Sequence, residues 1–258
     1  MGNAEAAVVR NVDKRTSRRE HRETFIAAVE RFRVAPFDAP LQAGAAGPVG
    51  AAGHSVRVCV RKRPIFPHET EQAEWDAITC LPSRVVIHDA RMQPDMIHMF
   101  MNHHDFAFDA AFGEDADNDA VYDGTASELV QRALGGGHAT VLMYGQTGSG
   151  KTHTMSAIYQ RAAQEVFDAE PAPSAVSVSF VEITGDAVSD MLNEGAAVGL
   201  STGSDGSVHP YPCVEVPVQD TKELAALIDM AGKLRATAAT GVNDQSSRSH
   251  ALLRAFVA

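Results

Sequence analysis

The feature that most constrains this chain is a glycine-rich stretch, Gly145-Gln146-Thr147-Gly148-Ser149-Gly150-Lys151-Thr152. It fits the pattern G-x-x-x-x-G-K-[ST], in which glycines let successive backbone N–H groups turn towards phosphate oxygens. The lysine of this pattern can reach the terminal phosphates, and the threonine hydroxyl can bind Mg²⁺. The alternative is a chance turn rich in Gly, Ser and Thr. The pattern predicts a binding site for a nucleoside triphosphate.

The residues on either side favour the binding site over a chance turn. The segment from Ala139 to Tyr144 is short and largely apolar, which predicts a buried strand. The segment from Lys151 to Phe167 predicts a nearly continuous helix, whose positive N-terminal end would favour phosphate. Strand, glycine loop and helix follow one another in the order that the motif requires.

The composition is that of a globular protein. The chain has 258 residues, 45% of them hydrophobic and 21% charged, enough for one sizeable core with a small appendage. Its net charge of −11 argues against a general nucleic-acid binder. Cys59, Cys80 and Cys213 form no C-x-x-C pattern, which favours a reducing compartment over a zinc site or a disulfide framework. Neither a signal peptide nor an apolar run of membrane-spanning length is visible.

We expect three segments along the chain. Residues 1–35 are basic and place Phe25, Ile26, Val29 and Phe32 at helical spacing, which predicts a helix docked on the main domain or on a partner. Residues 36–54 are rich in Ala, Gly and Pro and predict a linker. Residues 55–258 alternate between strand and helix patterns, which indicates an α/β domain with a central sheet flanked by helices.

The pattern within this domain predicts individual elements. Strands are expected near residues 56–60, 85–87, 105–109, 176–183 and 251–257, and helices over 118–134 and 222–236. His103 and His104 are adjacent, so their side chains point different ways, and we expect two surface histidines rather than a metal pair.

A second polar stretch, Asn243-Asp244-Gln245-Ser246-Ser247-Arg248-Ser249-His250, is unusual. A row of hydroxyls beside one arginine suits a loop that senses a γ-phosphate and its Mg²⁺. A polar loop with a serine at a helix N-cap is the alternative, and this stretch alone does not decide between them.

Together these stretches resemble the kinesin motor domain. The Asn-x-x-Ser-Ser-Arg-Ser-His stretch is similar to kinesin switch I, and the glycine loop continues into the kinesin-like sequence His153-Thr154-Met155. Further similarity lies in Arg61-Lys62-Arg63-Pro64, which resembles the Arg-x-Arg-Pro that packs on adenine, and in Ser179–Ile183 with Asp190–Asn193, where Thr184 replaces a usual tyrosine. The resemblance covers residues 55–258 and implies the phosphate-loop nucleoside triphosphatase fold of kinesin motors.

The resemblance implies ATP and Mg²⁺ as ligands. Gly145 to Thr152 would hold the phosphates, and the adenine end of the site would comprise Arg61, Arg63, Pro64 and His153, with Arg61 stacked on the ring. The implied catalytic set is Asn243, Ser246, Ser247 and Arg248. Ser246 and Ser247 would meet the γ-phosphate and the Mg²⁺ shell, and Arg248 would pair with a glutamate of the second switch. Thr152 and Ser247 would be the metal ligands.

The resemblance also implies microtubules as the partner, without nucleic acid or membrane, and a location on the cytoplasmic cytoskeleton. Dimerisation would use regions outside this chain. The sequences Val58–Ile65 and Phe25–Arg33 resemble the motor start and neck helix of internal-motor kinesins, which depolymerise microtubules. Where that subfamily carries Lys-Val-Asp, this chain reads Gln93-Pro94-Asp95, which keeps the aspartate and loses the lysine.

Only eight residues follow His250, so we expect a partial motor domain without the second switch and the C-terminal part of the fold. Two functions stay open. One is an ATP-dependent microtubule motor or depolymerase, and the other is a non-motile nucleotide- or tubulin-binding module that lacks switch II. Whether the chain is an active ATPase is therefore undecided at this stage.

Overall fold

A computed structural model of the chain describes residues 14–34, 42–43, 56–93, 98–204, 206–238 and 249–258. Contacts between Cα atoms divide it into two compact units, one ending at Ala116 and the other beginning at Asp117. Both units combine helices with β-sheet, in agreement with the predicted α/β class.

The first unit is built on a mixed, mainly antiparallel sheet, and two helices precede it in the sequence. Its described elements are α1 (Lys14–Glu20), α2 (Arg22–Val34), β1 (Gln42–Ala43), β2 (Cys59–Arg61), α3 (Pro67–Glu71), β3 (Ile78–Leu81), β4 (Arg84–Met92), β5 (Met99–Ala107) and β6 (Ala110–Phe112). The sheet has the order β1-β5-β4-β3, and β2 and β6 form a separate parallel pair.

Helix α2 is held on this unit by the apolar stripe that the sequence predicted. Phe25, Val29 and Phe32 are buried, and the Phe25 ring lies 6.0 Å from the ring of Trp75. Ala90 of β4 completes this core cluster. Burying each large apolar side chain stabilises the unit by about 2 kcal/mol, so the stripe fixes the helix to the sheet. Of the two alternatives predicted for this helix, docking on the main domain or on a partner, the structure shows contacts with the domain.

The second unit consists of helices packed on one larger sheet. Its described elements are α4 (Asn118–Asp123), α5 (Ser127–Leu134), α6 (Lys151–Phe167), β7 (Val176–Thr184), β8 (Ala187–Asp190), β9 (Ala196–Thr202), β10 (Val208–Tyr211), β11 (Val216–Pro217), α7 (Thr221–Ala238) and β12 (Ser249–Val257). The sheet has the order β10-β9-β8-β7-β11, and β12 also pairs with β7.

Strand β7 is the centre of this unit. All nine residues of β12 pair antiparallel with it, from Ser249 opposite Thr184 to Val257 opposite Val176. Val178 is fully buried and forms a core with Ala163 of α6 and Leu224 of α7. The strands predicted at 176–183 and 251–257, the helix at 222–236 and the continuous helix from Lys151 to Phe167 are confirmed.

Other boundaries differ from the predictions. The helix predicted over 118–134 is two helices, and the first ends with Gly124 as its C-cap. The Thr125 backbone N–H bonds the Tyr122 carbonyl oxygen, three residues back, and the Thr125 hydroxyl takes the Val121 carbonyl oxygen at 2.5 Å. Such local bonds compete with helix continuation. The strand expected at 56–60 runs from Cys59 to Arg61, and the strand expected at 105–109 ends at Ala107. The predicted linker lies outside the described residues except for β1.

Along the described parts of the chain, none of the helices combines the length and the apolar character that crossing a membrane requires.

Candidate nucleotide-binding site

The glycine loop of the second unit has the backbone that a phosphate cradle needs. Gly148 has φ +80° and Gly150 has φ +92°, in the left-handed region that side chains other than glycine rarely adopt. Gly145 also has a positive φ, +156°, and a Cβ there would lie 2.6 Å from Ser149 Oγ. The three glycines of the motif are therefore explained by backbone conformation and close approach.

Helix α6 begins directly after this loop, with Gly150 as its N-cap. No side chain caps the helix, and its first turn contains no acidic residue. The first backbone N–H groups of a helix have no partner within the helix, and the helix dipole adds partial positive charge there. The residues at this helix start therefore fit a phosphate group.

The Lys151 ammonium folds back over the loop. Its Nζ donates to the carbonyl oxygens of Gly145 at 2.6 Å and Gln146 at 2.9 Å. These bonds hold the Lys151 ammonium beside the loop backbone. A phosphate oxygen could replace either carbonyl oxygen as the acceptor of its hydrogen bond. Thr152 and His153 follow in the first turn of α6, and both side chains are exposed.

The glycine loop contains a residue that fits the predicted Mg²⁺ site. The described part of the chain contains no cluster of three or more His, Cys, Asp or Glu side chains suited to holding a metal ion. Mg²⁺ does not require such a cluster, because it commonly takes one or two protein oxygens together with phosphate oxygens and water. The exposed Thr152 hydroxyl is an oxygen donor of this kind.

The strand predicted before the loop, from Ala139 to Tyr144, is absent, and this segment has no regular secondary structure. Its side chains nevertheless alternate. Val141 and Met143 pack against the core cluster of α4 and α6, whereas Leu142 is 83% exposed and Tyr144 91% exposed. The backbone is not paired into a sheet with any described strand, and a strand forms only when a neighbour satisfies its N–H and C=O groups.

The predicted adenine stretch, Arg61 to Pro64, lies in the first unit, whereas the glycine loop lies in the second. The Arg61 guanidinium donates to the carbonyl oxygen of Ala116 at 3.0 Å. Pro64 is exposed, as is His153 in the other unit. The structure therefore describes the two halves of the predicted site separately.

Arg63 has a structural role within this stretch. Its guanidinium forms a two-pronged ion pair with Glu69 and lies 4.2 Å from the centre of the Phe66 ring. Glu69 in turn accepts from the Phe66 backbone N–H at 2.8 Å, which closes the start of α3. The hydrogen bond from Arg63 lowers the pKa of Glu69 to about 2. Arg63 thus organises the start of α3.

The predicted switch residues Asn243, Ser246, Ser247 and Arg248 lie outside the described residues, as do Pro94 and Asp95 of the Gln93-Pro94-Asp95 sequence. The described strand β12 begins immediately afterwards, and the Ser249 hydroxyl donates to Glu182 at 2.6 Å. The role predicted for the switch stretch stays a prediction.

A polar cavity of about 410 Å³, which no sequence pattern indicated, lies beside the C-terminal half of α6. Its lining includes Glu165, which accepts hydrogen bonds from the Tyr122 hydroxyl, the Gln131 amide and, at 3.4 Å, the Ser127 hydroxyl. Burial and the bond to Glu165 raise the pKa of Tyr122 well above its usual range. This cavity lies at the opposite end of α6 from the glycine loop.

Comparison with known proteins decides the family. The family model of the kinesin motor domain matches residues 61–258. The chain belongs to the kinesin motor-domain family. A curated relative, diatom spindle kinesin-1 from Cylindrotheca fusiformis, is 35% identical over 207 residues, which cover 79% of this chain and 33% of that protein.

A solved kinesin structure shows the same fold. It is the structure of a fast kinesin, determined for its implications for the ATPase mechanism and interactions with microtubules of that protein. It matches with a TM-score of 0.66 at 24% identity, over 78% of this chain and 59% of the solved chain. The predicted kinesin motor fold is therefore confirmed. The chain spans about a third of the length of the curated relative.

Proposed function

We propose that this chain is an ATP-binding kinesin-like motor domain that acts on microtubules. The observation that carries the proposal is the glycine loop, in which two glycines with positive φ lead into the uncapped start of α6 beside Lys151. This arrangement presents backbone N–H groups and an ammonium to one anion, which is the chemistry of a triphosphate site.

Each residue of the loop has a separate task in the proposed site. Gly148 and Gly150 give the backbone its path, Lys151 neutralises phosphate charge, and Thr152 would hold Mg²⁺. When bound, Mg²⁺ would screen the negative charge shared by the β- and γ-phosphates. His153, Arg61, Arg63 and Pro64 would belong to the adenine end of the site.

The proposed switch residues Asn243, Ser246, Ser247 and Arg248 would complete the site. Ser246 and Ser247 would face the γ-phosphate and the Mg²⁺ shell, with Ser247 as a second metal ligand, and Arg248 would pair with a glutamate of the second switch. The support for these roles is the similarity of the stretch to kinesin switch I. Microtubules as the partner, and the microtubule cytoskeleton of the cytoplasm as the location, rest on membership of the kinesin family.

Within the kinesin family, we propose that this chain belongs to the internal-motor group. The support is the sequence around Val58–Ile65 and helix α2, whose residues resemble the neck helix of that group. The loss of the lysine at Gln93 argues for reduced depolymerisation relative to that group.

Microtubule co-sedimentation combined with ATP turnover tests the function. We expect the 258-residue chain to bind microtubules more tightly with a non-hydrolysable ATP analogue than with ADP, and microtubules to accelerate ATP turnover. Binding of ATP and microtubules without accelerated turnover would instead establish the non-motile module. A chain that bound neither ligand would refute both functions.

A further inference from the structure

Three methionines, Met92, Met99 and Met101, form a patch on strands β4 and β5. Met92 is the Cα partner of Met99, and Met101 is the partner of Ala90. Because alternate residues of a strand share a face, all four side chains lie on the same face of the sheet. Directly opposite residues have Cβ atoms about 5 Å apart, so the thioethers of Met92 and Met99 are neighbours.

The methionine patch is part of the apolar surface on which helix α2 packs. Its three side chains pack against one core cluster, which contains Phe25 and Val29 of α2 together with Trp75 and Ala90. Phe25 is fully buried, and Trp75 is 7% exposed. Thioethers suit such a place, because they are flexible, apolar and attracted to aromatic rings. The docking of α2 therefore includes contacts that depend on sulfur remaining apolar.

The thioethers of the patch are open to a small oxidant, because each of the three side chains is only partly buried. Sulfur attacks one oxygen of hydrogen peroxide, the O–O bond breaks, the sulfoxide forms, and the second oxygen leaves as water with both protons. The cysteines of this unit compete poorly for peroxide. Burial raises the pKa of the Cys59 and Cys80 thiols, and the thiolate is the reactive form.

A sulfoxide does not fit the packing that a thioether makes. Oxidation turns a flexible apolar side chain into a polar one with a strong hydrogen-bond acceptor. Burying a polar group without a partner is costly, so an oxidised side chain would turn towards solvent. That movement takes the methionine away from the cluster of Phe25 and Trp75, and α2 loses part of its support.

We propose that Met92, Met99 and Met101 are a methionine-oxidation site, at which peroxide converts thioethers to sulfoxides and thereby loosens helix α2 from the first unit. The modification is reversible, because methionine sulfoxide reductases restore the thioether. The site lies wholly within the first unit and does not involve the glycine loop, which belongs to the second.

The experiment treats the 258-residue chain with increasing concentrations of hydrogen peroxide. Peptide mass spectrometry measures sulfoxide at each methionine, fluorescence follows Trp75, the single tryptophan, and trypsin cleavage after the exposed Arg31 reports on α2. We expect oxidation of the patch to shift Trp75 emission to longer wavelength and to speed this cleavage about tenfold, because proteolysis follows the population of the open form. Methionine sulfoxide reductases should reverse both changes.

Two variants separate the patch from other oxidisable groups. In the triple variant Met92→Leu, Met99→Leu and Met101→Leu, apolar volume is kept and peroxide has no thioether to attack at the patch, so neither signal should respond. Met230→Leu is the matched control, because Met230 is 41% exposed and lies in the second unit. This variant should respond to peroxide as wild type does.

The other outcomes overturn the inference. A triple variant that responds like wild type would show that Trp75 itself, a cysteine or another methionine is the target. Sulfoxide at the patch without a change in emission or cleavage would show that α2 does not depend on these thioethers. If the triple variant does not fold, partly oxidised wild-type chains decide. Chains cleaved after Arg31 should then be enriched in patch sulfoxide over intact chains, and equal sulfoxide content in the two pools would refute the site.

Discussion

Phe32 of helix α2 lies nearly flat on the imidazole of His103, with ring centroids 4.5 Å apart and an interplanar angle of 20°. The His103 Nδ1 is 2.7 Å from Nδ1 of His88, which is buried, and the Nε2 of His88 is 2.8 Å from Thr79 Oγ1. In the contact between the two Nδ1 atoms one nitrogen donates and the other accepts, and an accepting imidazole nitrogen carries no proton. At least one of the two imidazoles is therefore neutral.

Acid should destabilise the first unit through these histidines. Burial, and then the charge of His103, lower the pKa of His88 to about 4, whereas an unfolded histidine titrates near 6.5. Between these values the unfolded chain binds more protons than the folded chain, so stability falls as the pH falls from 6.5 to 4 and is flat above this window. We expect a loss on the order of 2 kcal/mol between pH 7 and pH 5.

Urea unfolding followed by the fluorescence of Trp75 measures this loss, because the single tryptophan of the chain is buried in the same unit. His88→Gln should flatten the pH dependence, and His138→Gln, at an exposed position of the second unit, should not. A His88→Gln curve as steep as that of wild type would show that another group is responsible.

Truncating Phe32 tests whether α2 is an integral part of the first unit. The side chain is 4% exposed and contacts both histidine rings. We expect Phe32→Ala to reduce the free energy of unfolding by about 3–5 kcal/mol, as for other buried phenylalanines. Arg31→Ala, at the exposed neighbouring position of the same helix, serves as control. If Phe32→Ala costs no more than the control, the helix is not held by this contact.

Glu165 should stabilise the helices of the second unit. It accepts from Tyr122 of α4 and from Gln131 of α5, and Tyr122 is 2% exposed. Glu165→Ala leaves the Tyr122 hydroxyl without this acceptor, which should cost about 1–3 kcal/mol. Thermal unfolding followed by circular dichroism measures the change, with the exposed Gln164→Ala as control. Equal melting temperatures for the two variants would contradict this role.

Alanine substitution should destabilise the chain at the loop glycines and stabilise it at a glycine of a regular helix. Gly148 and Gly150 have positive φ and open space around their Cα atoms, so alanine there is strained by backbone conformation alone, at about 1–2 kcal/mol. Gly232 lies within α7, also with open space, and Gly232→Ala should stabilise the chain by up to about 1 kcal/mol. Chemical denaturation of Gly148→Ala, Gly150→Ala and Gly232→Ala gives the change in the free energy of unfolding for each variant. A Gly232→Ala chain less stable than wild type would contradict the prediction.

The sequence predicted elements best where a local pattern agreed with the tertiary contacts. Helix α6 runs over the predicted residues because Lys151 to Phe167 contains neither Gly nor Pro, and β7 is apolar and β-branched enough to form a buried strand. The family followed from motifs whose residues are spaced as the chemistry of phosphate binding requires.

Predictions that depended on distant partners were less accurate. The segment from Ala139 to Tyr144 has the composition of a strand, yet no described strand pairs with it. His103 was expected at the surface, and it is half-buried because Phe32, distant in sequence, covers it. Likewise, Lys62 Nζ donates to Asp76 Oδ2 at 2.6 Å, although nothing in the local sequence pattern around either residue indicates this ion pair. Such contacts are fixed by the tertiary fold and not by short-range spacing.

The central claim is that the glycine loop holds the phosphates of ATP, and equilibrium binding of ATP in the presence of Mg²⁺ tests it most directly. Lys151→Ala removes an ammonium at the mouth of the loop and should weaken binding about tenfold to a hundredfold. Lys222→Ala, which removes an exposed lysine from the first turn of α7, should leave binding unchanged. A folded Lys151→Ala chain that bound ATP as tightly as the Lys222→Ala chain would contradict the account.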